Sequence, residues 1–151
     1  MAGEVLQISI EAIANQAELF ATLEMLDPVF PHQLSAQVQD LDQYAEKLWN
    51  HAILLVARKN HHVIAFCAMY ANDFSTRQAY LAQLVVAQSN QGSGVGQALL
   101  TRAIEIAKER SMTSLKLEVF NDNPQAIGFY KKNGFLVEEV NHLSQFMVKP
   151  I

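Results

Sequence analysis

The sequence predicts one α/β domain, and three observations predict it. Apolar runs of strand length recur along the chain, among them "AILLVAR", "VIAFCAMYA", "AYLAQLVVA" and "LKLEVF". Other stretches, such as "NQAELFATLEML" and "GQALLTRAIEIAKER", place apolar residues at helical spacing. The 151 residues hold no internal repeat, low-complexity tract or linker that would divide them. The expected order is β-α-α-β-β-β-α-β-α-β-β.

Each element has its own signal. Leu6, Ile8 and Ile10 alternate with Gln7, Ser9 and Glu11, which reads as a half-buried strand. Asn15 followed three residues later by Glu18 has capping-box spacing, and Leu19, Leu23 and Leu26 line one face of the helix it opens. Asp27-Pro28 ends that helix, and "DPVFPHQLS" is an irregular connection with two prolines. "DLDQYAEKLWN" is a second helix, capped by Asp40, with Leu41, Tyr44 and Leu48 on one face. The next two apolar runs, separated by "KNHH", form a hairpin whose strands are buried on both faces. "AYLAQLVVA" is a strand after the polar loop "NDFSTRQ". The helix after the glycine-bearing loop repeats Leu99, Ala103, Ile106 and Ala107 on one side. "LKLEVF" is a strand, with Leu115, Leu117 and Val119 on one face and Lys116, Glu118 and Phe120 on the other. "NPQAIGFYKKN" is a helix opened by Asn123-Pro124 and closed by Asn133-Gly134, and "FLVEEV" and "SQFMVK" end the chain as strands.

Composition narrows the function. A net charge of −4 argues against nucleic-acid binding, which needs a basic surface, and leaves room for an amine-bearing partner. The single cysteine, Cys67, excludes an internal disulfide or a CxxC pair, and its apolar neighbours in "IAFCAMY" make it a buried, inert thiol. His51, His61 and His62 have no partner at metal-ligand spacing and read as surface residues, so no metal is expected. No signal-peptide pattern opens the chain and no apolar run reaches the roughly 18 residues of a membrane span. The expectation is a cytoplasmic protein that binds neither nucleic acid nor membrane.

The stretch "VVAQSNQGSGVGQALL" holds Gly92, Gly94 and Gly96 between a strand and a helix. Glycines there let bare backbone amides at a helix N-terminus approach an anion. A nicotinamide fingerprint fits poorly, because Gln97 occupies the place of the third glycine and the loop follows an internal strand. A P-loop fails, since no lysine occurs between Lys59 and Lys108. The remaining pattern is Gln/Arg-x-x-Gly-x-Gly/Ala over Gln91, Gly92, Ser93, Gly94, Val95 and Gly96; the plain alternative is a glycine-rich turn with no ligand.

With that loop and the later "NPQAIGFYKKNGF", the chain resembles the Gcn5-related N-acetyltransferases. Both motifs are correctly spaced, and the element order matches over nearly the whole chain. One departure is Gln88, where many members carry proline. The resemblance implies a central mixed, mostly antiparallel sheet of about seven strands flanked by four helices. It further implies direct transfer of the acetyl group of acetyl-CoA to a primary amine in a ternary complex, without a metal. Leu84, Val85 and Val86 would pair with the pantetheine arm, with the Val86 N–H facing the thioester oxygen. Residues Gln91 to Gln97 would cradle the pyrophosphate, and Asn123, also a helix cap, would hydrogen-bond the cofactor.

Tyr130 matches the motif tyrosine and is the candidate general acid: a phenol of pKa about 10 can protonate a thiolate whose conjugate acid lies near 8.5. The alternative for Tyr130 is core packing beside Phe129. Glu118 stands in an "LEV" context like that of the ribosomal-protein N-terminal acetyltransferases, where a glutamate is proposed as base; pairing with Lys116 is the equal alternative. The preceding strand offers only Gln83, so a base acting through water, or none, is also open. For the acceptor, Phe30, Tyr70, Asn72, Asp73, Tyr80 and Gln83 are candidates, with His32 and Trp49 beside them. Aromatic walls with a few polar groups suit a small-molecule amine first and a protein N-terminal or lysine amine second. A non-catalytic acyl-CoA-binding sensor is the reading from another class, and a homodimer stays open.

Overall fold

The computed structural model describes residues 8–30 and 34–151. Leu6 and Gln7 of the expected first strand, and His32, lie outside them. Strands β1 (Ile8–Ala12), β2 (Ile53–Lys59), β3 (His62–Tyr70), β4 (Gln78–Val86), β5 (Ser114–Phe120), β6 (Leu136–Val140) and β7 (Ser144–Pro150) form one sheet in the order β1-β2-β3-β4-β5-β7-β6. Every pairing is antiparallel except β4 with β5, which is parallel. The sheet is the expected mixed, mostly antiparallel one.

Four helices of expected position flank it: α1 (Gln16–Leu26), α3 (Leu41–His51), α4 (Val95–Glu109) and α5 (Pro124–Lys132). The Asn15 side chain accepts from the Glu18 amide at 2.8 Å, and Asp40 accepts from the Asp42 and Gln43 amides. A one-turn helix, α2 (Leu34–Gln37), and two 3₁₀ turns at Asp27–Val29 and Gln88–Asn90 were not foreseen, because single turns are too short to show a period. The β2–β3 hairpin turns through Asn60 and His61, both at positive φ, as a tight two-residue turn requires. Strand β1 departs from the half-buried expectation: Ile8, Ser9, Glu11 and Ala12 are exposed and only Ile10 is partly covered, as befits an edge strand. Arg58 on β2 ties this edge down, pairing with Glu11 at 2.6 Å and with Glu18 of α1.

The two sheet faces have separate cores. On the front, α1 to α3 pack on β2, β3 and Val85 through Leu19, Leu23, Leu48, Val56 and Phe66. On the back, α4 and α5 pack through Leu99, Ala103, Tyr130 and Phe135 on Cys67, Leu115, Leu117 and Met147. As expected, Cys67 is fully buried and Leu115, Leu117 and Val119 share the inner face of β5. Among the described residues the front core includes none from β5, β6 or β7.

Two irregularities in β4 shape the centre. Ala68 pairs with Gln83 but Met69 pairs with Leu81, so Ala82 is an extra, bulged residue. Before the bulge Ala79 and Leu81 face the back core; after it Leu84 and Val86 do so, while Val85 joins the front. The pairing of β4 with β5 runs only from Gln78–Ser114 to Leu81–Leu117. Beyond that the two strands separate, and a cleft opens between them.

Candidate active site

The glycine loop forms one wall of a hollow of about 480 Å³, together with Leu84 to Val86, Asn123 and Tyr130. Gly92 and Gly94 sit at φ 80° and 89°, the left-handed region where a side chain strains the backbone. A Cβ on either would meet no described atom within 4 Å, so their missing side chains keep the hollow open rather than relieve packing. A Cβ on Gly96 would lie 3.4 Å from the Val86 side chain, which holds the first turn of α4 close against β4. Gly94 is the N-cap of α4 and supplies no side-chain acceptor, whereas α1, α3 and α5 are each capped by a side chain. The amides of the first turn of α4 are therefore left for an anion at the positive end of the helix dipole. The arrangement fits a pyrophosphate.

Backbone alternation aims the β4 edge. The Ala87 N–H donates to the Ile64 carbonyl of β3 at 2.7 Å. In an antiparallel ladder, residues one step away then direct their N–H and C=O groups to the other side. Leu84 and Val86 thus present theirs toward the gap left by β5. The Gln91 side chain donates from Nε2 to the Val86 carbonyl at 3.1 Å, bracing the loop against this edge. Gln97 also faces the hollow and donates to Asn133 at 2.7 Å; Ser93 bonds back to Asn90 and does not line it.

Opposite stand Asn123 and Tyr130 of the α5 segment. The Asn123 side-chain oxygen, Oδ1, accepts from the Ala126 backbone N–H at 3.2 Å as the cap of α5, leaving the side-chain NH₂ to donate. Tyr130 is 9% exposed, with Phe129 and Phe135 meeting its ring edge-to-face. Burial, reinforced by Cys67, pushes its phenol well above the ordinary tyrosine range, so the hydroxyl keeps its proton. Both residues line the hollow and also the neighbouring cleft of about 220 Å³ between β4 and β5, so the two spaces adjoin.

That cleft brings together Phe30, Tyr80, Gln83 and Glu118 on the front side. Glu118 is exposed and its carboxylate accepts from the buried Ser144 hydroxyl at 2.6 Å. Lys116, the alternative partner, instead bonds Glu138 at 2.8 Å. Tyr80 lies close enough to Glu118 for that charge, after burial, to raise its phenol. The Gln83 amide donates to the Tyr44 hydroxyl at 3.0 Å, and burial raises Tyr44 despite that bond. Tyr44 read as a packing residue in the sequence; its spacing on α3 gave no hint that β4 would meet its hydroxyl. Tyr70, raised by burial and by Tyr44, pairs with Tyr80 but does not line the cleft. Asn72 and Asp73 lie before the start of β4, away from the open end, and do not line it either. Asp73 is occupied with its own loop: hydrogen bonds from Ser75 and Thr76 lower its carboxyl to about 2. Trp49 packs on the front core.

The buried Cys67 thiol is pushed up to about 12 by burial and cannot act as a nucleophile near neutral pH. Among the described residues no group of three or more His, Cys, Asp or Glu could hold a metal, and no helix is long and apolar enough to cross a membrane.

A loop of free amides, an open strand edge and a protonated phenol around two adjoining spaces are what an acyl-thioester donor needs. The family model for the acetyltransferase (GNAT) family matches residues 19–135. The chain belongs to that family. This GNAT chain is accordingly an N-acetyltransferase that draws on acetyl-CoA, as both motifs led one to expect. It is 29% identical over 116 residues to a Bacillus subtilis protein provisionally assigned as an alanine N-acetyltransferase of ribosomal protein bS18, spanning 74% of this chain and 75% of that one. It is 40% identical over 63 residues to streptothricin acetyltransferase A of Bacillus subtilis, a stretch of 42% of this chain and 36% of that relative. The PaiA N-acetyltransferase of Thermoplasma acidophilum, solved with coenzyme A, shares the fold at a TM-score of 0.81 and 21% identity, over 96% of this chain and 99% of that one.

Proposed function

We propose that this acetyltransferase acetylates the N-terminal α-amine of a polypeptide. The observation that carries the reading is the position of Glu118: exposed at the front of the cleft, without a cation partner among the described residues, and held by Ser144. An α-amino group has a pKa of about 7.7–8.0, against about 10.4 for lysine, so it asks least of a site with one carboxylate. Among the described residues the front core stops short of β5, β6 and β7, which suits an extended acceptor beside the cleft. A relative matched over most of both chains is provisionally described as an alanine N-acetyltransferase of ribosomal protein bS18, which supports the same reading.

In this mechanism the acceptor ammonium gives its proton to Glu118, directly or through water. Acetyl-CoA, when bound, supplies the thioester that the neutral amine attacks. The amides at the start of α4 hold the pyrophosphate, the edge groups of Leu84 and Val86 align the pantetheine, and the Val86 N–H faces the carbonyl oxygen as charge develops. As the C–S bond breaks, Tyr130 donates its phenolic proton to the departing sulfur, and the proton that the new amide nitrogen sheds returns to the phenolate through water.

Release of free thiol from acetyl-CoA, measured on a panel of peptides and small amines, tests this. Peptides with a free N-terminus should turn over, and the same peptides blocked there but carrying lysine should not. The match to streptothricin acetyltransferase A favours a second reading, a small-molecule amine as acceptor. Turnover confined to polyamines, amino sugars or aminoglycosides would select it and reject the peptide. Cofactor binding with no turnover on any amine would favour the binding-module reading instead.

A further inference from the structure

The structure assigns Ser144 as the positioning residue for Glu118, in a role that rests on Glu118 receiving the acceptor proton. Ser144 opens β7, and its own register partner is Phe120, the residue two beyond Glu118 on β5. A serine there has its hydroxyl on the same face as the carboxylate and reaches it diagonally: Ser144 Oγ donates to Glu118 Oε2 at 2.6 Å. Hydrogen bonds to ionised groups are short and about twice as strong as neutral ones. Ser144 is 2% exposed, so water does not compete for its hydroxyl.

The serine is itself held. The Asn141 side-chain oxygen accepts from the Ser144 amide at 2.9 Å and the Leu143 amide at 2.9 Å, fixing the β6–β7 turn. The Asn141 Nδ2 donates to Ser144 Oγ at 3.3 Å. With that donor in place, the hydroxyl hydrogen is directed onto the carboxylate. Asn121, just past the end of β5, closes the frame by donating to the Asn141 carbonyl at 2.8 Å. The turn thus fixes one carboxylate oxygen of an exposed glutamate on a long, otherwise mobile side chain. It leaves Oε1 for the acceptor amine.

The test compares Ser144→Ala, Ser144→Thr and Glu118→Gln in steady-state transfer to the peptide acceptor. Ser144→Ala should lower kcat about tenfold, the scale of one hydrogen bond to a charged group, with KM for acetyl-CoA unchanged. Ser144→Thr, which keeps the hydroxyl, should recover most of that loss. The double variant Ser144→Ala/Glu118→Gln should be no slower than Glu118→Gln alone, since the serine acts through the glutamate. Thermal melts of all variants separate a folding defect from the predicted effect. Additive losses in the double variant, or a Thr variant as slow as the Ala variant with an unchanged melt, would overturn the assignment. If Glu118→Gln turns over at full rate, the base reading fails; if Glu118→Gln is slow while Ser144→Ala is fully active, only the positioning role fails.

Discussion

Tyr130 and Phe135 are joined twice: the Phe135 amide donates to the Tyr130 carbonyl at 3.0 Å, and their rings meet edge-to-face with centroids 5.5 Å apart. Gly134 between them donates to Lys131 at 3.0 Å, which completes a Schellman C-cap on α5. The helix end is therefore also the device that seats the phenol beside the cleft.

Gly134 makes that cap at φ 88°, and a Cβ there would lie 2.8 Å from Lys149 Nζ. Lys149 donates to the Asn133 carbonyl at 2.6 Å and would have to give way. Gly134→Ala is expected to cost about 1–2 kcal/mol from backbone handedness alone. Denaturant unfolding measures the cost, and transfer should slow as Tyr130 is displaced. An unchanged midpoint would contradict the strain.

Tyr130→Phe keeps the ring and its two aromatic neighbours and removes only the hydroxyl. Transfer is expected to fall by about 10²–10⁴, the usual worth of a general acid, with coenzyme A affinity unchanged by calorimetry. Full turnover in the Phe variant would return Tyr130 to a packing role.

Gly94→Ala places a side chain at φ 89° at the cap of α4. The strain of about 1–2 kcal/mol converts to roughly a tenfold loss of acetyl-CoA affinity if the loop relaxes away from the cofactor. The KM for the acceptor should not move. A loss shared equally by both substrates would show that the loop does more than hold the donor.

Alkaline pH should unfold the protein through its buried acids. Burial raises the Cys67 thiol from 9.0 to about 12 and raises Tyr130 above 10.0, so the unfolded chain ionises first. The folded state then binds more protons, and stability falls as pH rises. It should be complete below about pH 9 and decline toward pH 12, with Cys67→Ala shallower on that limb in a series of thermal melts. Parallel curves for the two proteins would refute the thiol's part.

The donor side was legible because its constraints are local. Positive φ at Gly92 and Gly94, the capping Asn123-Pro124 and the closing Asn133-Gly134 each leave a mark within a few residues. The front of the cleft, the proposed acceptor side, was less so, because strand register assembles it. Ser144 meets Glu118 only through the pairing of β5 with β7, and Gln83 meets Tyr44 only because the Ala82 bulge sets the facing of β4. Asn72 and Asp73 misdirect for the opposite reason: a polar loop that bonds to itself has the same composition as one that binds a ligand.

Strand β4 is written in two phases, and Ala82 is where the phase slips. Deleting that one residue would rejoin the halves in a single regular alternation in which Leu81, Leu84 and Val86 still face the back core, with no change in composition elsewhere. What the extra residue changes is the spacing: Tyr80 and Gln83, three apart, share the front face where an unbroken strand would oppose them. One strand thereby lines both spaces within the same nine residues.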